Sequence, residues 1–262
     1  KNILAYCVEN RNYAKINKKI NEMKGTFSYY ITYEESLIGY SIFEVAQLSK
    51  IYGFKVYAVN FYFTNIAHEF NNNHDKKIGK LIDNLKSKLK SVEGYIILKV
   101  PSSNSMLINQ LNKANIFFIH AGGTVCYYTD KINEKHFKDD NLIIRVATEV
   151  DKIEYKNELI KLGKESFEEY FGQYHISYIT REKAPSIYEN WVEEYLDNRE
   201  CSNIIISLMN NKIVGFLAIE ETEYTIELVL NAVDKAYGNN KIYERIVRYA
   251  TKYALEKNKL ST

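Results

Sequence analysis

Apolar positions along the chain follow two periods, one near two residues and one near 3.6, and the switches between them outline the elements. Residues 54–64 are dense in aromatic and β-branched side chains, which predicts a strand. After the asparagine run at 71–73, Ile78, Leu81, Ile82, Leu85 and Leu89 recur at helical spacing, with lysines on the opposite face. A short strand at 95–100 stops at Pro101; Ser102 or Ser103 then caps a helix through Leu111, and a strand pair follows over 116–128. The pattern before residue 54 is ambiguous between helix and strand.

The segment NEKHFKDDN at 133–141 is the most polar interruption, lying between strand-like stretches at 124–128 and 142–147. The domain boundary is placed there, dividing residues 1–135 from residues 136–262. Beyond it, a helix over 152–171 is expected to turn Ile153, Ile160, Phe167 and Phe171 to one side. A second helix opens at Pro185 and carries Ile187, Tyr188, Trp191, Val192, Tyr195 and Leu196 as one stripe. Strands at 203–209 and 212–220 flank Asn210-Asn211, a pair whose tolerance of positive φ suits a two-residue hairpin. A third strand covers 225–233 after a polar bend. The last helix, 241–257, takes its cap from Asn239 or Asn240 and buries Ile242, Ile246, Tyr249, Ala250 and Tyr253. The fold class read from this order is mixed α/β, of the α+β kind.

Composition narrows the function classes. With 46% hydrophobic and 26% charged residues, the chain has enough apolar material for one large domain or two small ones. A formal charge of +2, from 35 basic and 33 acidic residues, falls far short of a nucleic-acid binder's basic excess. The 23 tyrosines fit a chain-wide tilt toward Lys, Asn, Ile and Tyr and identify no ligand. Cys7, Cys126 and Cys201 stand at neither CxxC nor zinc-ligand spacing, so no metal is expected and a reducing cytoplasm is the simplest home. No apolar run is long enough for a bilayer of about 30 Å, so no membrane partner is expected either.

Residues 228–250, LVLNAVDKAYGNNKIYERIVRYA, carry a strand, a polar loop and a helix start. This segment resembles the GNAT superfamily of acetyl-CoA-dependent N-acetyltransferases. There, a loop of the form Arg/Gln-x-x-Gly-x-Gly/Ala holds the pyrophosphate of coenzyme A with unpaired amides and a helix N-terminus. The resemblance implies acetyl-CoA as cosubstrate, with Asn231, Ala232 and Val233 along the pantetheine arm and Gly238, Asn239, Asn240, Lys241, Ile242 and Tyr243 around the pyrophosphate. Gly238 stands at the family's Arg or Gln position, and Lys241 and Tyr243 stand at the two small-residue positions.

FGQYHISYI at 171–179 and APSIYENWVEEYLDN at 184–198 resemble the TDP-fucosamine acetyltransferase group, in which a Tyr-His pair precedes a Tyr-x-x-Trp helix. The group's preceding Ser-Arg pair is absent here. This implies a nucleotide-linked amino sugar as the amine acceptor, with Tyr174, His175 and Glu220 on the acceptor side. In the first half, ESLIGY at 35–40 and residues 100–128 echo the same architecture, so the N-terminal half reads as a degenerate copy, two acetyltransferase-like mixed sheets in tandem. The family continues past the last helix with a further strand, a helix and a closing strand, whereas this sequence stops at Thr262. Either the chain is shortened or the first half supplies the remainder, and no general acid is assigned.

Direct transfer needs a neutral amine beside the thioester and a carboxylate to take its proton. Glu227 is the first choice, with Glu220 and Glu221 as alternatives; His175 is the other catalytic candidate. A catalytically silent binding module and an acyltransferase fed by a carrier protein stay open beside the acetyltransferase. Aminoacyl transfer from tRNA is disfavoured by the charge balance. A homodimer is compatible with the sequence.

Overall fold

The computed structural model describes residues 27–33, 36–63, 72–100, 104–116, 129–132, 141–168, 174, 181–197 and 202–261. They form two compact units, each with its own sheet. The expected boundary at 133–141 and the expected strands at 116–128 lie almost wholly outside these residues.

In the N-terminal unit, β1 (Phe27–Tyr33), β2 (Ser36–Glu44), β3 (Val56–Phe63) and β4 (Tyr95–Lys99) lie side by side in sequence order. The first two pairings are antiparallel and the last is parallel. Helix α1 (Ala46–Tyr52) joins β2 to β3 and stops at Gly53, whose φ of 75° gives a left-handed cap. Thus β1, β2 and α1 all lie within the stretch whose pattern is ambiguous. Helix α2 (Asn72–Leu89) forms where its apolar stripe predicts, and Ile78, Leu81, Ile82 and Leu85 are buried against Tyr40, Ile42 and Val59 of the sheet. Helix α3 (Ser105–Lys113) adds Leu107 and Leu111 to that core. Its cap is Asn104, whose side chain accepts from the Leu107 amide at 3.0 Å, and this corrects the expected serine cap at 102 or 103.

The C-terminal unit orders β5 (Leu142–Val146), β6 (Ser202–Met209), β7 (Lys212–Glu221), β8 (Thr225–Val233) and β9 (Leu260–Ser261) in one sheet. All pairings are antiparallel except β8 with β9. Asn210 and Asn211, at φ 52° and 60°, turn β6 into β7 as the sequence predicts. Thr129 and Ser261 exchange backbone hydrogen bonds, so the chain already borders this sheet at residue 129.

The helix expected over 152–171 is instead two: α4 (Glu149–Glu154) and α5 (Lys156–Ser166), meeting at Tyr155. Thr148 and Asp151 form a reciprocal capping box that starts α4 early. The break at Tyr155 destroys the register that aligned Ile153 with Ile160, and Ile153 is 80% exposed. Helix α6 (Ala184–Leu196) carries Pro185 in its first turn and buries Ile187, Tyr188, Val192, Tyr195 and Leu196. Gly163 of α5 permits the close approach of α6, since a Cβ there would sit 2.6 Å from Val192 Cγ2. These two helices cover the sheet face formed by residues such as Ile204, Ile206 and Phe216.

The other face is covered by α7 (Ile242–Glu256), through Ile242, Ile246, Ala250 and Ala254 against Ile205, Val214, Leu217, Ile219 and Ile226. Lys241, at φ 53°, precedes α7 without a side-chain cap, and residues 235–240 form a 3-10 turn. The asparagine cap expected at 239 or 240 is therefore corrected: those residues are wound into the turn.

Candidate functional site

The ladder of this sheet shifts register twice, at Val214 on β7 against β6 and at Val229 on β8 against β7. Ala218 pairs with Leu230 and Ile219 with Leu228, leaving Val229 as an extra residue on β8. Such a bulge withdraws backbone groups from the ladder and bends the strand; Val229 is 37% exposed. Downstream, the Asp234 amide donates to Val214 O at 3.0 Å. Strand alternation then turns the amides of Val233 and Asn231 to the opposite edge. The described pairing with β9 covers only Thr225 and Ile226. Of the three residues expected along a pantetheine arm, Asn231 is exposed, Ala232 is buried and Val233 is half-buried.

The chain passes from β8 directly into a helix start. Asp234 caps the 3-10 turn by accepting from the Ala236 amide at 2.9 Å. The ladder of α7 begins with Arg245 N donating to Lys241 O, so Ile242 and Tyr243 carry amides that helix geometry leaves over. Their partial positive charge is the ordinary basis of anion binding at a helix start. Lys241 is exposed and Tyr243 is 52% exposed, so both side chains point to solvent. Ile242 is buried beneath them. Gly238 is exposed, and an added Cβ there would meet nothing within 4 Å. Asn240 is exposed, while the side chain of Asn239 lies outside the described set. A cleft of about 660 Å³ runs beside the 3-10 turn, lined by Leu162, Ser166, Lys212, Ile213, Lys235 and Tyr237 among others.

At the other end of β8, Glu227 is 7% exposed and directly opposite Glu220 of β7, so the two side chains share one face. Tyr195, on α6, donates its hydroxyl to Glu220 Oε1 at 2.7 Å. Glu221 points to the opposite face and accepts from Lys257 at 2.7 Å and Lys259 at 2.8 Å. Burial works upward on the Glu221 carboxyl, but the two lysine hydrogen bonds outweigh it and hold it below the usual carboxylate range. Of the three carboxylates considered as proton acceptors, Glu221 is thus engaged in an ion pair away from the face shared by the other two.

Tyr174 is 8% exposed and packs edge-on against Trp191, with ring centroids 5.8 Å apart, and against Tyr188 at 6.1 Å. Phe167 stacks on Tyr188 at 3.9 Å. The tyrosine and tryptophan of the aromatic motif are therefore brought together as a packed cluster on α6. His175 lies outside the described residues. Two contributors escape sequence reasoning. Tyr195 reads as one more stripe residue, although a buried tyrosine hydroxyl needs a partner, and the bulge at Val229 has no composition signal.

Among the described residues no group of three or more His, Cys, Asp or Glu side chains is placed to hold a metal ion. No described helix is long and apolar enough to cross a membrane.

No protein-family model matches the chain, and no curated protein matches it. Solved structures do. The PaiA N-acetyltransferase of Thermoplasma acidophilum in complex with coenzyme A is 19% identical, covering 44% of this chain and 72% of its own at a TM-score of 0.31. An aminoglycoside 6′-N-acetyltransferase complexed with coenzyme A is also 19% identical, covering 44% of this chain and 56% of its own, at 0.33. A GNAT family acetyltransferase of Staphylococcus aureus is 13% identical, covering 45% and 82%, at 0.34.

Proposed function

We propose that the C-terminal unit is an N-acetyltransferase of the GNAT type, moving an acetyl group from acetyl-CoA to the primary amine of a small molecule. The observation that carries this reading is the sequence of features along one strand: buried Glu227, the bulge at Val229, and an uncapped helix start nine residues beyond Val233. The pantetheine arm would lie along the amides of Asn231 and Val233, and the pyrophosphate would meet those of Ile242 and Tyr243. The thioester carbonyl is then polarised by a backbone N–H freed at the bulge.

In the reaction, the acceptor ammonium gives a proton to Glu227, and the freed nitrogen lone pair attacks the carbonyl carbon. The C=O electrons move to oxygen, return, and expel the sulfur of coenzyme A as thiolate, while the second proton of the nitrogen passes through water to that sulfur, so that coenzyme A leaves as the thiol. Glu220, fixed by Tyr195, places a second carboxylate beside the incoming ammonium. The acceptor named by the resemblance at 171–198 is a nucleotide-linked amino sugar, with Tyr174 and His175 on its side of the site.

Calorimetry with acetyl-CoA, followed by a thiol-release assay over a panel of alkylamines, glucosamine and a TDP-amino sugar, tests the reading. Binding and thiol release with one of these amines support it. Binding without release to any amine favours a silent module, and the absence of binding overturns donor recognition altogether.

A further inference from the structure

We propose that the outer edge of β5 and the exposed face of α4 form the contact between two copies of this chain, with β5 pairing antiparallel to β5 of the second copy across a twofold axis. The inference is independent of the acetyl-transfer reading. It starts from where apolar surface is left in water. Of the large hydrophobic side chains exposed among the described residues, Ile143 (52%), Val150 (69%) and Ile153 (80%) all fall between residues 143 and 153, on β5 and α4. Helix α4 is turned inside out: it buries Asp151 and Lys152 and presents Val150 and Ile153, three residues apart on one side, to solvent. The buried charge has a local cause, since Asp151 closes the capping box with Thr148 and takes an ion pair from Arg145. That ion pair fastens α4 to β5 on the face where Ile143 also lies, two residues from Arg145. Single exposed hydrophobic residues are ordinary, but a group of them beside an open sheet edge marks a contact surface.

The edge itself has the matching backbone. Strand β5 ends the sheet order, and among the described residues no strand pairs with its outer side. Ala147 N donates to Ile204 O, which continues the β5 to β6 register, so by alternation Arg145 and Ile143 also spend their backbone groups on β6. Those of Leu142, Ile144 and Val146 point outward. Nothing in the sequence LIIRV guards this edge, which has no proline, no lysine and no bulge. Its own copy fits it. A twofold axis at Ile144 sets Ile144 opposite Ile144 and Leu142 opposite Val146 of the second copy, the outward residues of both strands, so all 5 residues pair in hydrogen-bonding register. Ile143 then faces Arg145 of the second copy, and no like charges meet along the strands.

The experiment is sedimentation equilibrium on the full chain over a concentration series, with hydrogen exchange read at residues 142–146 in the same samples. The unsubstituted chain is expected to dimerise as concentration rises, and the amides of Leu142, Ile144 and Val146 to gain protection in step. Ile143→Lys charges the strand and Ile153→Glu the helix; each acts twice in a symmetric dimer and is expected to weaken it about tenfold or more. Far-UV circular dichroism should stay the same in both, because these side chains stand in water. Tyr243→Ser, which removes an exposed ring from α7, is expected to leave the dimer as it was. Weakening by either of the first two variants, together with the protection, supports the proposal. A chain that stays monomeric throughout overturns it and leaves the edge to a strand from another protein. A dimer that survives both Ile143→Lys and Ile153→Glu overturns it too, since the contact then lies elsewhere. So does a dimer that forms without protecting the three amides, because strand pairing is then absent.

Discussion

The two sheets share one run of elements and differ where chemistry would occur. In the N-terminal unit the run is β1, β2, α1, β3, α2, β4; in the C-terminal unit it is β6, β7, β8, α7, β9, with a polar bend where the first unit has α1. Neighbours pair in the same order and directions, antiparallel twice and then parallel across a helix. Yet β2 and β3 keep an unbroken register from Ile38–Phe63 to Glu44–Tyr57, while β7 and β8 slip by one at Val229. The third residue of β3 is Ala58, opposite Phe43; the third of β8 is Glu227, opposite Glu220. A repeated topology therefore does not carry the site. Two extra residues, Val214 and Val229, and one pair of carboxylates set the sheet with candidate chemistry apart from the sheet without it.

The largest test of this contrast is to make β8 resemble β3 at its third position. Glu227→Gln keeps the shape and removes the proton acceptor, and kcat is expected to fall about a hundredfold or more, read by thiol release. Acetyl-CoA affinity, by calorimetry, should hold. An unchanged kcat would remove Glu227 from the reaction.

A smaller loss is expected from Tyr195→Phe, which takes the hydroxyl from Glu220 without disturbing the packing of α6. A hydrogen bond to a charged group contributes roughly 1.5–3 kcal/mol, so kcat/KM for the amine should fall about tenfold, with KM for acetyl-CoA unmoved. In a Glu220→Gln background the same substitution should cost little, because the two residues act as one unit. Multiplicative losses would show that Tyr195 matters only for packing.

Gly163→Ala tests the scaffold beneath the site. The new Cβ would lie 2.6 Å from Val192 Cγ2, so α5 and α6 must separate, and overpacking of this kind costs roughly 1–3 kcal/mol. Hydrogen exchange should quicken in β6 to β8 and stay unchanged in β1 to β4. Equal effects in both sheets would mean that the two units unfold together.

How far these differences can be read from the amino-acid order depends on which force fixes each element. Helix α2 and strand β8 follow from side-chain burial, which leaves a periodic trace, and both fall where Ile78 to Leu89 and residues 225–233 predict them. Asn210-Asn211 is legible because few residues adopt positive φ. The break at Tyr155 is not, since it comes from a capping box competing with an apolar stripe that runs on past it. Lys241 is illegible for a related reason: a lysine at φ 53° is held by what surrounds it, not by its own preference. The pairing of Glu220 with Glu227 hides behind the bend, because register across β7 and β8 depends on turn geometry and on the bulge. Glu227 is visible as a candidate from its place in the strand; its burial and its neighbour are properties of the sheet.

The two units should also separate under acid, and this is the smallest effect. In the C-terminal unit, Asp151 is buried; desolvation pushes its carboxyl up, but hydrogen bonds from Arg145 and Thr148 outweigh that and hold it below the ordinary range. Glu221 is held down in the same way by its two lysines. A carboxyl whose value is lower in the folded chain than in the unfolded chain contributes stability in full above the unfolded value, near 4. That contribution is lost as pH falls through the folded value, because the unfolded chain then binds the proton first. In the N-terminal unit the corresponding group is Glu44, lowered by a hydrogen bond from Lys55 in an exposed pair, where solvent screens the gain. Urea unfolding followed by hydrogen exchange at pH 7 and pH 3 should therefore show β5 to β8 losing more protection than β1 to β3. Glu221→Gln should narrow the gap by less than 1 kcal/mol, and Asp151→Asn by more, since Asp151 also closes the cap of α4. Equal loss in both sheets would place the acid sensitivity outside these carboxyls.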